Sequence, residues 1–512
     1  MTAARAPEAT LVDLLDAASR RDPNGVYARF EGVEITYAEL ARRSRALAGA
    51  LTARGLRKGD RVAVMMRNSA AAVATIFALA RGGFVWAPVN ALLRGEGLRH
   101  LLSHCEPSLL IADEALVAPI EEAGGGATPR IAHGVGGELD ALLSGPEAFV
   151  GPAPQVDDVF AMMYTSGTTG PAKGAVVSHL MLRLAGEAVM LVSDARAGDV
   201  FFVWEALYHI GGAQLLALPM SHGVRLAMVE RFSASRFWLR AKAEGATHIH
   251  HLGGILQLLL KQPPSPLDRA HGVRVAWGGG CPADLWRPFE KRFGVSIREC
   301  YGMTEASSIT AYNDRGVVGA VGRPTPWFTV RLLDAQGRDA APGERGEIVV
   351  RTTIPGAIFP GYFRNPEATA RTLRDGALHT GDLGSFTADG DLVFHGRLGD
   401  SVRCRGENVS AFEVERVAAD HPDVEDCAMI GVRADIGEQD IKLFVKRRPG
   451  ATLDAAALSD WLGARLAPYQ NPRYIAFVDA FERTASQRIV KRHLDVGLDG
   501  VWDRSRGERT TP

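Results

Sequence analysis

Short apolar runs alternate along the first third of the chain with longer segments whose apolar residues recur at helical spacing. Arg61-Val-Ala-Val-Met-Met66 predicts a buried strand, Ala70 to Arg81 a helix ended by Gly82-Gly83, and Phe84-Val-Trp-Ala87 and Leu109-Leu-Ile-Ala112 further strands. Runs this continuous are buried on both faces, so the rhythm predicts a parallel sheet covered by helices. Glu121 to Gly151, rich in Gly, Ala and Pro, reads as a loose connection. From about Pro326 the pattern changes. Thr329–Leu333, Gly346–Arg351 and Asp391–Phe394 alternate or run apolar between turn signals such as Pro342-Gly343 and Asp389-Gly390, which predicts antiparallel strands. Beyond Gly399-Asp400 the chain starts afresh, with a helix at Ala411–Ala419, strands at Ala428–Gly431 and Ile441–Val445, and a helix at Ala455–Leu466.

Composition narrows the function class. At 512 residues the chain is long enough for two or more domains. A net charge of -1 gives no bulk attraction to nucleic acid or to a membrane surface. No signal-peptide pattern opens the chain and no eighteen-residue apolar stretch follows, so a cytoplasmic location is expected. The five cysteines are scattered without Cys-x-x-Cys spacing. His248, His250 and His251 cluster, yet no acidic or cysteine partner stands at ligand spacing beside them.

The chemistry concentrates after the apolar run Val159–Met163. Thr165-Ser166-Gly167-Thr168-Thr169-Gly170-Pro171-Ala172-Lys173 combines backbone-bending glycines, hydroxyl donors and one mobile cation, the ingredients of a phosphate cradle. It matches neither Gly-x-x-x-x-Gly-Lys-Ser/Thr nor Gly-x-Gly-x-x-Gly. Arg274-Val-Ala-Trp-Gly278-Gly279-Gly280-Cys-Pro-Ala283, with Glu299 some twenty positions on, mimics a dinucleotide-binding turn. The same glycines would let a purine edge lie against bare backbone. Tyr301-Gly302-Met303-Thr304-Glu305 supplies an aromatic face, a hydroxyl and a carboxylate able to hold magnesium, while Asp382 and Arg397 supply groups that can hold two ribose hydroxyls.

In this order the motifs Thr165–Gly174, Tyr301–Glu305, Thr380-Gly-Asp382, Gly396-Arg397 and Arg405-Gly-Glu-Asn-Val-Ser410 resemble the adenylate-forming superfamily over nearly the whole chain, with the acid-CoA ligase branch nearest. The resemblance implies an α/β fold: a large N-terminal domain of two α/β subdomains plus a β-rich lobe (1–396), a hinge (397–401) and a smaller mobile α+β domain (402–512). It implies ATP, Mg2+ and CoA. Thr165, Ser166, Gly167, Thr168, Thr169 and Lys173 would hold the β- and γ-phosphates. Thr304 would touch the α-phosphate, Glu305 with Thr168 would bind the metal, Gly279, Gly280, Tyr301 and Gly302 would frame the adenine, Asp382 and Arg397 would hold the ribose, and Asp400 would be the hinge residue. The acid pocket would draw on Trp204, Tyr208, His209, His250, Gly278 and Met303, with His209 near the reacting carbonyl. A small or aromatic acid is expected, and a homodimer is possible.

One departure stands out. Where the family carries a Gly-Lys pair that reaches the substrate carboxylate, this chain has Gln487-Arg488, and Lys491 follows three residues later. Either cation could serve, Lys491 only if the segment is helical. Two other readings stay open: an enzyme that activates nitrite for transfer to an aryl amine without CoA, and a homologue that binds nucleotide without turnover. For the thiol, Gly437–Lys442 and Lys446-Arg447-Arg448 could meet CoA.

Overall fold

The computed structural model describes residues 7–165, 172–252, 254–341, 343–398, 401–404, 407–433, 439–466, 470–483 and 489–510. Two sheets enclose a layer of helices. The first runs Arg130–His133, Leu109–Asp113, Arg61–Met65, Val85–Pro88, Val159–Thr165 and Lys173–Ser178, parallel except for the last strand. The second has nine strands. Six parallel ones lie in the order Ser296–Tyr301, Val275–Gly279, His248–Leu252, Val200–Val203, Arg225–Met228 and Val26–Phe30, and antiparallel strands flank them at both edges. The helix Ala70–Gly82 is buried at every position from Ala71 to Arg81. A helix apolar on all sides has to be covered on all sides; this one shares a single core with the helix His179–Ser193 and with strands of both sheets.

The pleat of the nine-stranded sheet divides its side chains cleanly. Phe201, Val203, Val275 and Trp277 face that central core, whereas Val200, Phe202, Ile249 and Ala276 face an outer one built with Phe237 and Phe289. An antiparallel lobe follows, in which Gly346–Thr352 joins Phe328–Leu333 to Ala377–Phe386, and Ala377–Phe386 also pairs with Leu373–Arg374 and Leu392–Arg397. The C-terminal part has its own core. A two-stranded hairpin and the helix Ala411–Ala419 lead into a five-stranded sheet carrying the helix Ala455–Gly463. The architecture is α/β with a large N-terminal and a smaller C-terminal domain, as expected.

One expectation fails. Residues 121–151 are not a loose connection, since the edge strand Arg130–His133 and the helix Glu138–Leu143 lie within them. Ile131, Leu139 and Leu143 are buried there, so three well-placed apolar side chains outweigh the glycine and alanine around them. The histidine patch is a buried strand, and among the described residues no group of three or more His, Cys, Asp or Glu could hold a metal ion. No helix among them is long and apolar enough to cross a membrane.

Candidate active site

The run expected to cradle phosphate is flanked by two antiparallel strands. Thr165 ends one strand, Lys173 starts its antiparallel partner, and the two are in register. Ser166, Gly167, Thr168 and Thr169 lie outside the described residues. The base of the hairpin is fixed from several directions. The Phe363 amide donates to the Gly174 carbonyl at 2.8 Å. His100 Nε2 sits 3.0 Å from the Ala172 carbonyl and His104 Nδ1 2.9 Å from the Tyr164 hydroxyl.

Lys173 Nζ lies 4.3 Å from the centre of the Tyr362 ring, and the Tyr362 hydroxyl donates to Glu305 Oε1 at 2.6 Å. Burial lowers the pKa of Lys173 from its usual range, with the Glu305 charge opposing and the Arg397 charge adding to the effect. The cation over the ring, the bridging hydroxyl and the buried carboxylate therefore form one unit. Tyr362 was missed in the sequence because no motif labels it; the aromatic pair after Gly361 was the only signal.

Glu305 is held in place by backbone. Thr304–Ala306 form one 3-10 turn, followed by Ser307 and Ser308 at φ 49° and 70°. Non-glycine residues rarely adopt such angles unless their surroundings hold them there. Here the Ser307 hydroxyl donates to the Ala357 carbonyl at 2.6 Å and that of Ser308 to Gln214 Oε1 at 2.7 Å. Gly302 is required by the same turn, because a Cβ would run into the Ser308 carbonyl.

The structure brings together the two residues expected to hold a ribose. Asp382 and Arg397 are cross-strand partners in the lobe, with Arg397 Nε 3.1 Å from Asp382 Oδ1. The Tyr301 hydroxyl donates to Asp382 Oδ2 at 2.7 Å, and its ring stacks on Phe394 at 5.6 Å between centroids. Gly278, at φ 153°, passes so close to the neighbouring strand that a Cβ would meet the His251 carbonyl. The amides of Gly280 and Cys281 donate to the Glu299 carboxylate. That carboxylate is buried, and burial pushes it up to about 8 against the pull of the two amides. Glu299 therefore braces the glycine ridge from beneath and is not presented for a ribose, as the dinucleotide-type spacing would have had it.

The residues expected in the acid pocket separate. His209 opens the turn Ile210–Ala213, its ring 4.8 Å from that of Tyr208. Tyr208 is packed against the core of the six-stranded sheet. His250 lies on the central side of the nine-stranded sheet, with Nδ1 2.5 Å from Glu205 Oε2 and its ring 4.2 Å from Trp277. Met303 packs on the central core, whereas Trp204 lies on the outer core against Phe232 and donates its indole N–H to the His250 carbonyl at 2.9 Å.

In the C-terminal domain Arg488 and Asp400 lie outside the described residues. Arg483 and Ile489 form an antiparallel bridge, and Lys491 opens a separate 3-10 turn. The flanks are thus extended, not helical. Lys491 Nζ pairs with Glu415 Oε1 at 2.8 Å. Lys442, read as a candidate CoA contact, is buried and donates to the carbonyls of Asp495 and Gly497 at 2.8 and 2.5 Å.

Residues 15–363 match the family model described as AMP-binding enzyme, and residues 413–488 match the AMP-binding enzyme C-terminal domain. The chain belongs to the AMP-binding enzyme family. A feruloyl-CoA synthase from an Amycolatopsis species is 34% identical over 483 residues, covering 92% of this chain and 96% of that one. ATP-bound MatB from Rhodopseudomonas palustris superposes with a TM-score of 0.83 at 29% identity, over 94% of this chain and 97% of its own. The o-succinylbenzoate-CoA synthetase MenE of Bacillus subtilis, solved with ATP and magnesium, gives 0.85 at 25% identity, over 95% and 100%. Membership in the family accounts for the otherwise unusual phosphate hairpin, which belongs to neither of the commoner nucleotide-loop types.

Proposed function

We propose that this enzyme activates a small or aromatic acid with ATP and transfers the acyl group to CoA. The observation that carries the reading is the convergence of Lys173, Tyr362 and Glu305 with the Arg397, Asp382 and Tyr301 array. In the first step a carboxylate oxygen of the acid bonds to the α-phosphorus as the bond from that phosphorus to the oxygen it shares with the β-phosphorus breaks, and pyrophosphate leaves with that oxygen. Lys173 and the hydroxyls of Thr165, Ser166, Thr168 and Thr169 face the charge that grows on pyrophosphate, and Thr304 holds an α-phosphate oxygen. Donors set in advance where charge develops are worth about 10²- to 10³-fold each. A buried carboxylate is the hard oxygen ligand that magnesium takes alongside phosphate oxygens, so Glu305 fits the ion. Magnesium, when bound, neutralises charge on the departing pyrophosphate.

In the second step the CoA sulfur attacks the acyl carbon and AMP leaves, with His209 beside that carbon. The two steps need different groups at one centre. We assign the exchange to a hinge at 397–401, with 1–396 as the adenylation domain and 402–512 as the moving one. Asp400→Pro should then spare adenylate formation and slow thiol transfer in single-turnover assays; equal loss in both defeats the hinge.

The test of the whole reading is exchange of labelled pyrophosphate into ATP with a panel of acids, followed by product mass spectrometry with and without CoA. Acid-dependent exchange and an acyl-CoA product are expected. AMP formation driven only by nitrite and an aryl amine without CoA would replace this reading with the diazotising one, and binding of ATP without exchange under any condition would leave a non-catalytic homologue. A cytoplasmic location and a homodimer belong to the same reading, the latter to be decided by light scattering in solution.

A further inference from the structure

Two ionisable side chains lie buried side by side near the turn that His209 opens, and the nucleotide chemistry gives neither of them a task. Glu205, just past the strand Val200–Val203, is 4% exposed, and His250 is 5% exposed. Glu205 Oε2 and His250 Nδ1 stand 2.5 Å apart, but neither atom meets a partner in hydrogen-bond alignment. The indole N–H of Trp277, on the ring that covers His250, is also buried without a hydrogen-bond partner. Each buried polar atom left unmatched costs roughly 1–3 kcal/mol, and native proteins keep few of them without a use.

Position ties the group to the acid. Glu205 follows the strand Val200–Val203 and His250 lies on the adjacent parallel strand His248–Leu252; ligands of open α/β sheets bind outside the carboxyl ends of such strands. The residue facing Glu205 is Gly211, in the turn that His209 opens, and a Cβ there would lie 2.8 Å from Glu205 Oε1. On the other side the Glu205 charge reaches Cys300, the residue before Tyr301. The pair therefore lies between the His209 turn and the start of the adenylate-contacting run.

We infer that Glu205 and His250 together determine acid specificity, by taking a neutral hydrogen-bond-donating substituent, hydroxyl or amino, on the ring of an aromatic acid. The inference rests on the acid-activation reading and deepens it. A substituent with its own charge would have to leave water for a buried place, which disfavours it against a neutral one. A bare or methoxylated ring would leave the carboxylate oxygen without a donor. Sites that hydrogen-bond a substrate hydroxyl reject the analogue lacking it by up to about 10⁴-fold; with His250 sharing the carboxylate, about 10²-fold is expected here.

The experiment is the kcat/KM for pyrophosphate exchange with benzoate, 4-hydroxybenzoate, 4-aminobenzoate, 4-methoxybenzoate, the charged terephthalate and the corresponding cinnamates. Wild-type enzyme should favour the hydroxy or amino acid over the bare and methoxylated ones by about 10²-fold, the two donor arms showing which group it takes. The double variant E205L/H250F should lose that preference, with the KM for ATP unchanged. A flat wild-type ranking, a ranking led by an acid with a charged substituent, or a folded double variant with the wild-type order would each overturn the inference while leaving the ligase reading intact. The wild-type panel decides the matter even if the double variant does not fold. No exchange with any acid would instead bring down the acid-activation reading, and this inference with it.

Discussion

The proposed nucleotide half and the proposed acid half of the site are assembled in different ways. Both join distant pieces of chain: the Tyr301 hydroxyl reaches Asp382 across 81 positions, and Glu205 meets His250 from another strand. In the nucleotide half each piece carries its own label, a run of glycines, hydroxyls and a lysine, or Tyr-Gly-Met-Thr-Glu. In the acid half the contributing residues are single side chains on strand ends, and only the strand order makes neighbours of them. The nucleotide half should consequently act identically on every acid, and the acid half should act on their ranking.

The largest test of that contrast is Lys173→Ala. Removing the one described cation that lies over Tyr362 beside Glu305 should lower kcat/KM for pyrophosphate exchange by about 10²- to 10³-fold with every acid, leaving their order unchanged. A changed order would mean that the two halves are coupled through the phosphate hairpin. Arg488→Ala and Lys491→Ala come next. Lys491 is committed to Glu415, whose Oε1 also accepts the Met429 amide at 2.6 Å, so it serves the C-terminal domain's own packing. Arg488→Ala should cost exchange about 10²-fold, whereas Lys491→Ala should leave exchange within about threefold and reduce stability by about 1 kcal/mol, since the pair is partly exposed. Unequal loss of that kind in thermal melts and exchange rates separates the two cations; strong loss of exchange in Lys491→Ala would return the role to it.

Much of the fold was legible because its strands and helices are long and strongly patterned. The helix Ala70–Gly82 and the strand Gly346–Thr352 fall within a residue or two of the expected spans. Arg130–His133 was lost because one buried residue, Ile131, had to speak for a whole strand in a glycine-rich setting. In the site, Asp382 and Arg397 were singled out by the Thr-Gly-Asp and Gly-Arg runs, and the hairpin that sets them opposite each other appears only in the fold. The direction of Trp204, named as a pocket residue, could not be read from the sequence because it depends on the pleat: the strand ends at Val203 and Trp204 packs on the outer core. Tyr362 gave only the aromatic pair after Gly361 as a signal, and nothing in the sequence joined Glu205 to His250, because each acquires its meaning from contacts made across the fold.

Glu299 lies under the amides of Gly280 and Cys281, and it gives the most distinctive effect, one on stability against pH and not on acid ranking. Its folded pKa of about 8 lies above the unfolded value of about 4.3, so the native state holds this proton more tightly than the unfolded chain does. Stability from the group is therefore full below about pH 4, falls with each pH unit through the interval, and levels off above about pH 8. Glu299→Gln keeps an oxygen for the amides and removes the titration. The variant should lose less stability than wild type between pH 6 and pH 9, by on the order of a few kcal/mol, read as the difference between their chemical-denaturation curves. Parallel pH profiles for the two proteins would mean that Glu299 stays ionised in its buried place and that the two amides alone offset its desolvation. The glycine ridge would then rest on a charge, and Glu299→Gln should weaken ATP binding as well as the fold.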